Sequence, residues 1–447
     1  MNEIIYPTVD LYLYQLRSGL GDSEADIAKN RQKFLSILPE KLQEKLAQTP
    51  PETESNYQEL LPSDEVFDFK TEINNYQLEG YYYPVLLTDT YGLLYDCSVD
   101  EQDQPQKLSC LHYLKEKAPI NQGDLGQTWS ISGIIPPSFS GQTEDLAKEI
   151  YLNFYQEEEE KLTREWLRHQ RLKFSDAEVF EVSQPLENGH KLTQNRHILI
   201  FLYPNRNSFN KAAQFYNDWL KIWCFRNKVI FAYQQTKLIK KELEQGFQII
   251  KSTIPVVKEK TDLNSLQELL KNNLETFSNY VINLKSLEVQ QQTIDINLQN
   301  YQTYCKHLRD TAQTMGDSHL DLKALEHFTA TFEQTYQIQV KKDYESLKPG
   351  LEILSHLTET IRAIVETEQA KGEKRLEHIV ESVGVGLGAA AIVSAAVQNP
   401  VGEIIKFENP PKPLTEANWH ILFIVIVSVI FGSLSSLLTW LFVRRKS

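Results

Sequence analysis

The sequence predicts an α+β protein: an N-terminal cytoplasmic α/β domain, a long helical stalk and a C-terminal two-helix transmembrane hairpin. Three observations carry that class. Two apolar runs close the chain, residues 380–397, rich in Gly and Ala, and residues 421–443, rich in Ile, Val, Leu and Phe. The second has no charged residue, and a helix of its length rises roughly 35 Å, enough to cross a ~30 Å hydrocarbon core. Residues 208 to 380 are almost free of helix breakers, whereas residues 1 to about 205 alternate β-branched or aromatic stretches with Gly, Pro, Asn and Asp.

Strands are expected at 9–16, 77–87, 92–99, 128–135, 177–182 and 197–203, with Pro84 marking an edge or bulge because it has no ladder donor. Helices are expected at 23–48 and 143–173, the second opened by Thr143-Glu144-Asp145, a capping residue followed by acids in the first turn. Residues 48–64, with Pro50-Pro51, read as a surface loop. Three long helices follow, at about 208–250, 262–314 and 318–380. In the last, Leu325, Phe328, Phe332, Tyr336, Val340, Leu347, Leu351, Leu354, Ile361 and Val365 keep a three-to-four spacing that buries one stripe. Pro349-Gly350 should kink or restart it. The chain thus divides into a cytoplasmic α/β domain (1–205) and a helical stalk region (206–379). A first membrane helix (380–398), an outer loop (399–418), a second membrane helix (419–443) and a basic cytoplasmic tip (444–447) complete it.

Charge sets the expected topology. Lys371, Lys374 and Arg375 precede the first apolar run and Arg444, Arg445 and Lys446 follow the second, while the connecting segment mixes Lys406 and Lys412 with Glu403, Glu408 and Glu416. Positive charge at both outer ends places both termini in the cytoplasm of a bacterial-type plasma membrane. The 447 residues carry a formal charge of −14 and a mean hydropathy of −0.40, so the chain before residue 380 is strongly water-compatible. No basic patch offers itself to a nucleic-acid backbone, which excludes nucleic acid as the expected partner. Four cysteines without a Cys-x-x-Cys pair fit a reducing compartment. The first residues lack the basic and apolar regions of a signal peptide.

The first apolar run is a rod of small residues. Gly384 and Gly388, like Gly386 and Ala390, are four apart, a spacing that lets helix backbones approach closely in lipid. The same residues fit Gly-x-Gly-x-x-Ala, yet a dinucleotide site needs a strand before that motif and none is expected there. Partners are therefore membrane lipid and further copies of the chain. Trp419 and Trp440, near the ends of the second run, read as interfacial anchors.

A soluble α/β domain, long helices, a stalk continuous with a first span, a short outer loop, a second span and the tip Leu441-Phe442-Val443-Arg444-Arg445-Lys446 resemble the CorA-type magnesium channels. The resemblance implies a pentamer whose first span lines a pore, with a divalent cation such as magnesium as the species handled; no other cofactor is expected. The family's Gly-Met-Asn signature is absent. The corresponding stretch reads Ala396-Val397-Gln398-Asn399-Pro400-Val401-Gly402, with Asn399 in place of the family's Asn.

Glu377 and Glu381, four apart where stalk meets membrane, are candidates for stacked carboxylate rings at a cation pore mouth, with Asn399 as an amide ring at the outer entrance. The plainer readings pair the two glutamates with Lys374 and Arg375 and make Asn399 a helix end before Pro400. Glu157 to Glu160 scatter their carboxylates around a helix, and Cys110-x-His112 and Cys305-x-His307 each supply only two potential metal ligands. No nucleophile elbow, P-loop or Ser/Cys triad context is visible, so an enzyme is not expected. Two functions follow: cation conduction gated by the cytoplasmic domain, or a non-conducting membrane-anchored scaffold or signalling effector whose first span only oligomerises.

Overall fold

The computed structural model describes residues 3–19, 21–47, 57–62, 65–100, 103–119, 123–156, 166, 169–183, 196–259, 263–317 and 319–370. Ten strands form one mixed sheet: β1 (Glu3–Leu16), β2 (Gln58–Glu59), β3 (Phe67–Ile73), β4 (Tyr76–Leu87), β5 (Thr90–Val99), β6 (Pro105–Lys107), β7 (Gly126–Ile134), β8 (Gln170–Phe174), β9 (Ala177–Ser183) and β10 (His197–Tyr203). Their order is β2-β4-β5-β1-β7-β10-β9-β8, with β3 also on β4 and β6 also on β1. Every pairing is antiparallel except β10 on β7. A parallel pair needs a crossover, and the chain between β7 and β10 includes α4 (Thr143–Tyr155) as well as β8 and β9.

β1 runs through the middle, pairing with β5 on one side and β7 on the other, and Thr8 to Gln15 are all buried. Alternation along it feeds two cores. Val9, Leu11 and Leu13 point into one, with Phe34 of α1 (Glu24–Leu35), Leu42 and Leu46 of α2 (Glu40–Ala47), Leu111 and Leu114 of α3 (Cys110–Lys117), and α4. Tyr12 and Tyr14 point into the other, with Phe209 of α5 (Arg206–Ala212), Trp219 and Trp223 of α6 (Tyr216–Glu259), Tyr301 and Leu308 of α7 (Leu263–Thr314), and Leu325 of α8 (Lys323–Thr331). The result is helices on both faces of the sheet, and a central strand apolar throughout rather than by halves.

The six expected strands are present. β1 starts six residues earlier than expected because Tyr6-Pro7 sits in a bulge, with Tyr6 at φ 50° and the register shifting between Ile5 and Thr8. Pro84 falls where β4's outer partner changes from β3, whose ladder ends at Tyr82, to β2, and its carbonyl accepts from Leu60 N at 3.1 Å. The expected helix at 23–48 divides before Pro39 into α1 and α2, the first opened by a Ser23/Asp26 capping box. The expected helix at 143–173 stops at Tyr155, where Gln156 turns left-handed, and residues 170–174 form β8 instead. The strand was hidden by its polar outer positions, Gln170, Arg171 and Lys173, at a sheet edge.

Among the long helices, α6 begins after a 3₁₀ turn at Ala213–Phe215, and a π turn at Phe332–Gln337 separates α8 from α9 (Ile338–Ala370). Of the ten apolar residues expected on the last helix, seven are buried and the other three half-buried. Pro349-Gly350 does not interrupt α9. Gly350 instead admits Tyr280, whose hydroxyl donates to the Leu347 carbonyl at 2.7 Å; a Cβ at position 350 would lie 2.3 Å from that hydroxyl oxygen. Two compact units result, one of residues 1–259 and 271–355, the other of residues 260–270 and 356–447.

The expected fold class is corrected on one point. No helix among the described residues is long and apolar enough to cross a membrane. The long helices α6, α7 and α9 carry charged and amide side chains along their length, so none offers the uninterrupted apolar stretch that a span needs. The described chain is therefore an α+β fold of one mixed sheet and long helices, none of them a membrane span among the described residues. The expected spans 380–398 and 419–443 lie outside the described residues.

A Cβ built on Gly80 would lie 2.0 Å from the Asp96 carbonyl oxygen, with the Phe69 ring 2.8 Å away. Gly80→Ala should therefore push β4 off β5 and lower stability by about 2 kcal/mol or more, measured as a fall in the denaturant midpoint of the full chain.

Candidate functional site

The second core carries an unusual polar patch. Cross-strand register aligns two rows on that face, Ser98–Thr8–Ser132 and Asp96–Asp10–Ser130, taken from β5, β1 and β7. Thr8 and Ser98 share a hydrogen bond of 2.8 Å. Asp10 and Asp96 are buried and interact with each other, so a carboxyl pair lies inside the sheet–helix interface. Burial pushes the Asp96 carboxyl up to about 7, and burial with the neighbouring Asp96 charge holds Asp10 well above the usual carboxylate range. Two adjacent buried carboxylates cannot both ionise at low cost, so the pair holds on to a proton well above the usual carboxylate range. Asp10 Oδ1 and Ser132 Oγ have no hydrogen-bond partner among the described residues. Tyr12, Tyr81 and Tyr216 surround the pair, and their buried phenols are raised far above the usual tyrosine value, first by burial and then by the acids.

A second buried network lies further along the same sheet, on β7, β10 and β9. His197 of β10 holds Glu181 of β9 through Nε2 at 2.9 Å and Thr128 of β7 through Nδ1 at 2.9 Å. Asn227 of α6 donates to the Thr128 hydroxyl at 3.1 Å and to the Trp223 carbonyl at 2.8 Å. Gly126, at φ 116°, makes room for it, since a Cβ there would stand 2.6 Å from Asn227 Oδ1. Burial lowers the imidazole to about 4, reinforced by the charge of Arg226, so His197 is neutral; it donates through Nε2 and accepts through Nδ1. Glu181 stays ionised despite burial because His197 and Arg226 offset it. The Arg226 guanidinium lies 5.1 Å over the Phe328 ring.

Acid, imidazole and hydroxyl in line have the connectivity of a nucleophile relay, but this line is sealed. His197 is 1 % exposed and Thr128 fully buried, with Trp223 edge-on to the imidazole at 5.0 Å. The network ties β7, β9, β10 and α6 together.

The expected pore residues Glu377, Glu381 and Asn399 lie outside the described residues, as do the packing residues Gly384, Gly386, Gly388 and Ala390. Cys110 is buried in the first core and His112 pairs with Glu116 at 3.0 Å; Cys305 is buried in the second core and His307 stands 3.7 Å from Asp218. All four cysteines are free and buried. Among the described residues, no group of three or more His, Cys, Asp or Glu side chains is placed to share a metal ion. Sequence reasoning passed over Asp10 and Asp96. The signal was an acid set inside an apolar strand, Val9-Asp10-Leu11 and Tyr95-Asp96-Cys97. No family model, curated protein or solved structure matches the chain, so the resemblance to CorA-type channels gains no support from comparison.

The two networks give opposite pH dependence. Asp96, raised in the fold, contributes stability below about pH 4 that is lost as pH climbs toward 7; His197, lowered in the fold, contributes stability above about pH 6.5 that is lost as pH falls toward 4. Asp96→Asn should raise stability by at least ~1 kcal/mol at pH 8 and leave it unchanged near pH 4. Urea unfolding of the full chain at the two pH values measures this.

Proposed function

We propose that the protein is a non-conducting scaffold or signalling effector that self-associates through its long helices and is held at lipid by the apolar sequence of residues 421–443. One observation carries the reading. Of the twelve large hydrophobic residues exposed among those described, ten lie on α6, α7 and α9, only Val66 and Met315 falling elsewhere. The sheet's apolar residues are consumed by its two cores, whereas the helices hold theirs out to solvent. Scattered single apolar residues need no explanation, but a set concentrated on one group of elements favours an association surface. On α7, Ile282 and Ile296 are 59 % and 58 % exposed and fourteen residues apart, with half-buried Val289 midway. That heptad interval suits packing against a parallel or antiparallel helix of another copy. The exposed helical set bears on association and not on conduction, whose expected spans lie outside the described residues.

The sheet domain would then be the part that binds a signal, with its covalent continuation into α6 as the route to the association surface. An attractive consequence of the sealed Glu181–His197–Thr128 line is rigidity at that junction, because it fixes α6 to three strands at once. Static light scattering of the full chain in mild detergent tests the self-association. Ile282→Glu combined with Ile296→Glu should reduce the measured mass to that of a smaller assembly with little loss of thermal stability, since both side chains are already in water. An unchanged mass would sink the helical surface. Extraction of the chain from membranes by alkaline carbonate would likewise remove the lipid attachment.

A further inference from the structure

The two ends of the sheet are treated differently. At one end, β8 is closed by the segment after α7: Lys173 N donates to the Asp321 carbonyl at 2.9 Å and Asp321 N to the Lys173 carbonyl at 2.9 Å. At the other end, β3 pairs only with β4 and has no second backbone partner among the described residues. β3 and β4 meet in a two-residue turn, Asn74-Asn75, both with positive φ. In such a hairpin the flanking Ile73–Tyr76 pair is hydrogen-bonded, so Thr71, Phe69 and Phe67 also direct their backbone groups at β4. Asp68, Lys70 and Glu72 therefore direct their N–H and C=O groups outward, a seven-residue edge ready to accept another strand.

We propose that this edge pairs antiparallel with the β3 edge of a second copy, about a two-fold axis at Thr71. The choice of partner and register comes from charge. An axis at Lys70 would set Lys70 against Lys70 and Asp68 against Glu72, which repel. An axis at Thr71 sets Lys70 against Glu72 of the second copy, and Glu72 against its Lys70, as backbone-bonded pairs. Four interchain backbone hydrogen bonds result, and Thr71 meets Thr71 of the second copy at a non-bonded position where Cα atoms stand about 4.5 Å apart. Lys70 is 71 % exposed on the open face of the sheet, where it already bridges Glu79 at 3.2 Å and Asp100 at 3.3 Å. A further carboxylate from the second copy extends that bridge. On the opposite face Phe69 and Ile73 pack against the first core, which becomes continuous across the axis. The contact is a surface distinct from the helical one and does not depend on it.

Thr71→Cys in the full chain tests the register, because the Cα separation lies in the range a disulfide spans and the four native cysteines are buried. Mild oxidation should convert most of the protein to a covalent dimer on a non-reducing gel. Lys70→Glu added to Thr71→Cys should cut the yield at least fivefold, and Lys70→Glu with Glu72→Lys, which restores opposite charges, should bring it back. The Ile282→Glu, Ile296→Glu background should keep the cross-link. A Thr71→Cys chain that stays uncrosslinked, a yield indifferent to Lys70→Glu, or loss of the cross-link in the helical background would each overturn the edge pairing.

Discussion

The double burial of β1 is the constraint on which the rest of the structure rests. A strand that is paired on both sides and covered on both faces has no solvent-facing position, so each residue from Thr8 to Gln15 must suit one of two cores. The odd positions satisfy the core built with α1 to α4, and the even positions satisfy the one built with α5 to α8. Neighbouring strands inherit the same division: β5 is buried along its whole length, and β10 sends Ile198, Ile200 and Leu202 one way and Leu199, Phe201 and Tyr203 the other. A shift of register by one residue on β1 would exchange the cores entirely.

That constraint makes the acid pair expensive. Asp10 lies within the buried stretch of β1, opposite Asp96 on one side and Ser130 on the other. An apolar pair of similar size would fold at least as well, because burying two carboxyls without a cation gives up solvation that a shared proton restores only in part. The arrangement favours a role other than stability for the pair. The Glu181–His197 line is the contrary case, since Glu181, His197 and Thr128 are bonded in sequence and the Arg226 charge offsets that of Glu181, although Arg226 Nε and one terminal nitrogen have no hydrogen-bond partner among the described residues. The two lie on the same face of one sheet, and each opposes the other's response to acid between about pH 4 and 7. A flat pH–stability profile for the whole chain would thus conceal two steep and opposite contributions.

Much of the sheet was legible from sequence because its inner strands are rich in β-branched and aromatic residues and bounded by turn residues, as at 92–99 and 197–203. The outer strands were not. β3, Phe67-Asp68-Phe69-Lys70-Thr71-Glu72-Ile73, alternates cleanly but is half charged, and β8 reads as the end of a helix until Gln156 turns left-handed. Helix boundaries failed where a proline or glycine had a packing purpose: Pro39 ends a helix that periodicity would continue, while Pro349-Gly350 sits inside one because Tyr280 needs the space. The acid pair was invisible for a different reason. Asp10 and Asp96 are 86 positions apart, and only the β1–β5 register, fixed by hydrophobic alternation at both strands, brings them face to face.

The same register logic bears on how the molecule meets others. A ten-stranded sheet has two ends, and each unpaired end invites association unless something blunts it. The β8 end is blunted by the chain's own backbone at Asp321, which bridges Lys173. Nothing equivalent covers β3 among the described residues, although the Asn74-Asn75 turn sets that strand in register with β4 along its full length. Its charges do not repel every partner; they repel one register and attract its neighbours. An edge that only had to stay soluble would be served by like charges along it, whereas alternating Asp68, Lys70 and Glu72 discriminates between partners by offset. Selectivity of that kind has a purpose only where another strand is meant to be accepted.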